Sequence, residues 1–129
     1  MARTGKRSPF DHTRGLGSAR EGVAYWWTQR VTAVALVPLT LWFTASLIAH
    51  ARGDYDALVL WLRAPVTTIL MVLLLIALFY HMALGLQVVI EDYVHTDRIK
   101  MPTVMVIHLG CFVLAVAGII ATLRIAFGG

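Results

Sequence analysis

The chain is poor in charge and nearly free of cysteine. Only 14% of its 129 residues are Asp, Glu, Lys or Arg, against about a quarter in an ordinary soluble domain, which excludes a typical soluble globular protein. Cys111 is the single cysteine and lies in an apolar run. This chain alone therefore forms no intrachain disulfide, no zinc cluster and no cysteine-ligated iron–sulfur centre. Three apolar runs take up most of the length, so there is no room for a catalytic domain of usual size. Any chemistry here uses few residues or borrows the rest from a partner. A net charge of +4 and a pI near 9.7 would point to nucleic acid in a soluble protein. In a chain this apolar the positions of the charges matter more than their sum, and nucleic acid is not an expected partner.

What is present is membrane-spanning material. Residues 31–51 carry no Asp, Glu, Lys or Arg, nor do residues 64–90, and a third run covers 101–123. Each exceeds the roughly 18 apolar residues that mark a spanning helix. The expected fold is all-α, with three transmembrane helices over about 31–51, 64–90 and 101–123 in a membrane domain of residues 30–129. Residues 1–29 are expected to form a cytoplasmic N-terminal tail. Their polarity and the length of the first run argue against a signal peptide. Pro38 is placed to kink the first span, whereas Pro65 and Pro102 are expected in first turns, where the missing N–H costs little. No internal repeat or inverted pair of broken helices is visible, which weakens a transporter reading.

Lys and Arg set the orientation. Arg3, Lys6, Arg7, Arg14, Arg20 and Arg30 precede the first span, and Arg98 and Lys100 lie in the second loop. Arg52 and Arg63 in the first loop and Arg124 at the end are the others. The excess places the N-terminus and second loop in the cytoplasm and the C-terminus outside, on the periplasmic side of a bacterial inner membrane, or in the matrix and opposite it for a mitochondrial protein. Trp26, Trp27 and Trp61 stand where indoles anchor helices at headgroup level. The basic tail, with Gly15, Gly17 and Gly22, reads as solvated, or as lying on a larger partner or on anionic lipid.

His81 is the titratable side chain well inside the second run, about 15 Å from the boundary at Glu91. A buried imidazole needs a hydrogen-bond partner or a metal, so it is either a satisfied interhelical histidine or a haem ligand. Gly85, one turn on, removes the side chain beside it and lets a flat macrocycle approach. Asp92 returns to within about 20° of the His81 face, and Tyr93 follows with a phenol. Glu91 and Asp92 stand at a helix C-terminus, where the macrodipole disfavours negative charge. They read either as ion-pair partners of Arg98 and Lys100 or as a proton-handling, hydrogen-bonding site at the water boundary.

The string HMALGLQVVIEDY at 81–93 resembles the second helix of the hydrophobic membrane-anchor (D-type) subunit family of succinate dehydrogenase: a His, a Gly four later and an Asp-Tyr pair eleven and twelve later. The segment RGLGSAREGVAYWWTQRVTAVAL is similar to that family in alphaproteobacteria, with Arg30 at the matching place, and the resemblance covers nearly the whole chain. It implies that His81 is an axial ligand of a haem b whose other ligand comes from a companion cytochrome b-type anchor subunit. It further implies that Tyr93 hydrogen-bonds a ubiquinone carbonyl beside Asp92, and that Arg30 lies near a haem propionate or the quinone pocket. Gly85 belongs to the cofactor-binding set. Ala24 stands where some relatives have a histidine, so a propionate contact from that position is absent or replaced. The implied partners are a flavoprotein subunit, an iron–sulfur subunit, the companion anchor and membrane lipid, and the chain is inert as an enzyme alone.

Weaker candidates remain. His108 lies within a few ångströms of the depth of His81, so an intrachain bis-histidine haem is geometrically possible beside a packed or hydrogen-bonded role. His12, His50 and His95 read as solvated, and Met71, Met82, Met101 and Met105 as packing residues. Gly110, Ala117, Gly118 and Ala121 could admit a close helix. The rival classes are a cytochrome-type anchor of another respiratory dehydrogenase and a cofactor-free structural membrane subunit.

Overall fold

A computed structural model describes the backbone of residues 9–128 and the side chains of 23–128. The basic side chains of the tail up to Arg20, and His12, lie outside the described residues. Four α-helices follow in order: α1 (Pro9–His50), α2 (Tyr55–Arg63), α3 (Pro65–Tyr93) and α4 (Asp97–Phe127). There is no strand among the described residues. Three stretches are long and apolar enough to cross a membrane: Val23–His50, Pro65–Tyr93 and Asp97–Phe127. The all-α, three-span expectation therefore holds.

Residues 9–29, read as part of the tail, continue into α1 without a break, making it 42 residues long, about 63 Å at 1.5 Å per residue. The helix also runs unbroken through Pro38. Near it, Thr40 Oγ1 donates to the Leu36 carbonyl at 2.6 Å. Between the first two spans, where sequence reading saw a loop, stands α2. Asp54 caps it by accepting from the Ala57 N–H at 2.9 Å, filling one of the orphan donors of a first turn. Pro65 keeps Ala64 extended, as a residue before proline must be, and so separates α2 from α3. Pro65 is in the first turn as expected. Pro102 is not: α4 begins at Asp97, so this proline is the sixth helical residue and lacks an N–H for the Arg98 carbonyl.

The middle helix is α3, which packs on both α1 and α4, while α2 leans on α3 and α4. α3 packs tightly on α4 at Gly118, where an added Cβ would lie 3.2 Å from Leu75 Cδ1. Gly110, by contrast, has nothing within 4 Å of that position. Arg63 Nε donates to the Ile125 carbonyl at 3.2 Å, tying the α2–α3 corner to an otherwise open end of α4. His50 is not the solvated loop residue expected. It ends α1 half-buried, its ring stacked on Trp61 with centroids 4.8 Å apart, and its Nδ1–H donates to the Ser46 carbonyl at 2.7 Å.

The buried core is small: Leu74, Ala77, Ala83 and Leu84 of α3 and Cys111 of α4, with Thr67 and Thr68. Large apolar side chains such as Val34, Leu41, Ile69, Phe112 and Val113 are exposed. A soluble protein would not leave so much apolar surface open; lipid or partner helices must cover it.

Candidate functional site

The polar side chains collect where α1 and α3 run antiparallel. Three contacts give the register. Thr32 meets His81, Gln29 lies beside Gly85, and Tyr25 and Trp26 face Val88 and Glu91 across a cleft. Moving down α1 towards its N-terminus is moving along α3 towards Tyr93.

His81 sits at the deep end of this seam. Its Nδ1 is 3.1 Å from Thr32 Oγ1, and that hydroxyl also reaches the Thr28 and Gln29 carbonyls at 2.8 and 3.0 Å. Carbonyls only accept; with the hydroxyl proton on one of them, the Thr32 oxygen is an acceptor for His81 Nδ1–H. In that tautomer Nε2 keeps its lone pair for a metal, with Nδ1–H held by a second partner as is usual for a ligating histidine. The donor chemistry of His81 thus fits a haem iron. Gly85 faces α1, where an added Cβ would touch only Gln29 Nε2, at 3.9 Å.

From about 5 to about 15 Å further along α3 the seam opens into a cleft of about 480 Å³ lined by Tyr25, Trp26, Gln29, Leu84, Gln87, Val88 and Glu91. Leu84, Val88 and the Trp26 indole form apolar walls, and the two amides and the carboxylate give them polar points. Gln87 Nε2 donates to Glu91 Oε1 at 2.9 Å, and His108 of α4 bonds through Nε2 to Gln87 Oε1 at 2.8 Å. An apolar slot with a few convergent polar groups suits a flat, carbonyl-bearing ligand.

The remaining predicted residues border this region. Asp92 and Tyr93 follow Glu91 in the last turn of α3; both are exposed, Tyr93 at 80%, and neither is among the cleft-lining residues. Arg30 is exposed, with its guanidinium 5.3 Å from the Trp26 ring centre, so it touches the cleft through that wall. His81 and His108 turn to different partners, Thr32 on α1 and Gln87 on α3, and do not share one site. Among the described residues no group of three or more His, Cys, Asp and Glu could hold a metal ion. Sequence reading passed over Thr32, Gln29, Tyr25 and Gln87. Gln87 lies about 120° around α3 from His81, off the stripe that joined His81 to Asp92.

Comparisons with known proteins converge. The model of a family described as the succinate dehydrogenase/fumarate reductase transmembrane subunit matches residues 4–122. The succinate dehydrogenase hydrophobic membrane anchor subunit of Rickettsia bellii is 31% identical, over 89% of this chain and 92% of its own length. That of Paracoccus denitrificans is 30% identical, over 94% and 93%, and that of Rickettsia conorii 30%, over 84% and 86%. No solved structure matches the chain with significance.

Proposed function

The chain belongs to the succinate dehydrogenase/fumarate reductase transmembrane-subunit family, and from that premise we propose that it is the membrane-anchor (D-type) subunit of a bacterial succinate:ubiquinone oxidoreductase. It is multi-pass in the cytoplasmic membrane and has no activity alone. A flavoprotein subunit oxidises succinate, an iron–sulfur subunit carries the electrons singly, and a companion cytochrome b-type anchor completes a larger helix bundle. The charge asymmetry of the sequence supports a cytoplasmic N-terminus, which puts the α1–α3 cleft on the side where the soluble subunits dock.

Ubiquinone takes up two electrons and two protons to become ubiquinol, and this chain's part is to hold it at the water boundary. The Tyr93 phenol donates to a quinone carbonyl, and Asp92 beside it sets the local field and serves proton supply. A haem b, when bound, supplies a one-electron centre, and His81 Nε2 would hold its iron together with a histidine of the companion anchor. Arg30 suits a propionate or the rim of the quinone pocket, because guanidinium pairs carboxylates bidentately, and Gly85 leaves the ring room.

The observation that carries this reading is the order of residues along α3, with His81 on Thr32 at mid-span and Asp92 and Tyr93 in the last turn. Affinity purification of the tagged chain from its own membranes tests it. Flavoprotein and iron–sulfur subunits should co-purify with succinate-dependent quinone reduction and a haem b spectrum. Tyr93→Phe should cut quinone reduction by roughly tenfold or more, the worth of a hydrogen bond in a low-dielectric site, while reduction of a soluble dye stays intact. Co-purification of a different dehydrogenase, or of none, would sink the subunit assignment; a full quinone rate in Tyr93→Phe would remove the phenol from the site.

A further inference from the structure

The cleft between α1 and α3 has no occupant in that account. Tyr93 lies about 140–180° around α3 from Leu84, Val88 and Glu91 in the cleft wall, so a quinone on the phenol is on the other side of the helix. We propose that the cleft binds the headgroup of an aminophospholipid of the adjoining leaflet, its primary ammonium on Glu91 and against the Tyr25 and Trp26 rings.

Charge decides between occupants. Shape alone would admit any slim ligand with an apolar body, a carbonyl-bearing ring included. Among the lining residues Glu91 carries the one formal charge, and it is negative. It stands in the last turn of α3, where the macrodipole adds negative potential. The cleft therefore favours a cation, whereas a quinone carbonyl, itself an acceptor, gains nothing from a carboxylate. Tyr25 and Trp26 bring π faces, which attract cations. Gln87 Nε2 donates to Glu91 Oε1 at 2.9 Å, and Gln87 Oε1 lies 2.8 Å from His108 Nε2, so the carboxylate is braced from α4. A carboxylate has about four acceptor sites, and this brace occupies one. The Tyr25 hydroxyl and the Gln29 amide oxygen belong to the same lining. A primary ammonium has N–H groups to share among such oxygens, as a quaternary one does not.

Depth selects a lipid over a soluble cation. The lining runs from Leu84 to Glu91, and the span ends at Tyr93. Glu91 is thus at the water boundary, with Val88 and Leu84 successively deeper. A soluble cation gains nothing from those apolar walls. A phospholipid sets its ammonium at the boundary and its acyl chains along them. The Arg30 guanidinium, 5.3 Å from the Trp26 ring centre, adds a positive charge behind the same wall, and a phosphodiester is an anion it also suits. Negative and positive groups side by side match a zwitterion better than a bare cation.

The test uses the complex that purifies with this chain, delipidated in detergent, with phosphatidylethanolamine, phosphatidylcholine or phosphatidylglycerol of the same acyl chains added back. Native mass spectrometry reads bound lipid, and co-purification of the partner subunits shows that each variant assembles. Phosphatidylethanolamine should bind most tightly of the three. Glu91→Gln and Trp26→Leu should each weaken it roughly tenfold, the scale of a charge-assisted hydrogen bond or a desolvated cation–π contact. Glu91→Asp and Trp26→Phe, which keep the charge and the ring, should retain most of the affinity. Excess short-chain ubiquinone should leave the lipid in place. Wild-type phosphatidylethanolamine affinity in Glu91→Gln or in Trp26→Leu, equal weakening of all three lipids, or tighter binding of either other lipid would overturn the proposal. Displacement of the lipid by ubiquinone would give the cleft to quinone and overturn it as well. None of these outcomes depends on which dehydrogenase the chain anchors, so the subunit assignment stands or falls separately.

Discussion

Thr32 is the hydrogen-bond partner of His81 Nδ1. Its hydroxyl lies within bonding distance of two carbonyls of its own helix, and with the proton on one of them its oxygen accepts from Nδ1–H. Removing that acceptor frees the imidazole to change tautomer and to turn. Thr32→Val is expected to weaken haem retention by roughly 10- to 100-fold, the usual cost of losing the group that orients a ligating histidine, while Thr32→Ser keeps it. Haem per assembled complex, read from the reduced-minus-oxidised spectrum, checks this; unchanged occupancy in Thr32→Val would show that the hydroxyl does not orient the ligand. At this scale His81, Gly85, Asp92 and Tyr93 were legible because they share one helix, whose period gives their relative angles. Thr32, Gln29 and His108 were not, because what matters about each is a partner on another helix. A threonine bonding to its i−4 carbonyl is ordinary in any apolar helix.

α3 is organised by what presses on its two sides. Towards α1 it offers His81 and Gly85. Towards α4 it offers Leu75 to Gly118 and Gln87 to His108. The α3–α4 contact tolerates little added volume: Gly118→Ala asks the flexible end of Leu75 to shift by tenths of an ångström and should cost little, since Ala also favours helix by about 1 kcal/mol. Gly118→Ile should overpack the seam by about 1–3 kcal/mol and, by separating α4 from α3, loosen the His108–Gln87 bond. Thermal stability of the detergent-solubilised complex distinguishes the two; equal stability would mean that the seam can open freely. Small residues in the third span were flagged from sequence alike, but only packing separates Gly118, which is used within the chain, from Gly110, which has open space around it. α2 was missed because nine residues are too few for a span, although Asp54 ahead of YDALVLWLR is a readable cap signal. Pro102 was placed a turn too early because the polar stretch from Asp97 was read as loop, whereas it forms the first turn of α4.

The molecule as a whole is three spanning helices with a core too small to satisfy them. The span in α1 has no buried residue in its most apolar window, and that in α4 has 6%, so lipid and partner helices cover most of its surface. The orientation expected from charge can be read directly. In a Cys111→Ser background, a membrane-impermeant maleimide added to intact cells should label Arg52→Cys, in the short connection before α2, and not His95→Cys, between α3 and α4. The reverse pattern would put the cleft on the outer face and separate it from the soluble subunits. By itself the sequence determined the spans, the all-α class, the sidedness expectation and the stripe from His81 to Tyr93, since each depends on hydropathy, charge position or the period of one helix. Tertiary structure alone decided the Thr32 partner of His81, the cleft between α1 and α3 and the bond between His108 and Gln87. Each of these depends on which residues of two helices meet, and the register of one helix against another is set by side-chain packing across the seam, which no single helix encodes.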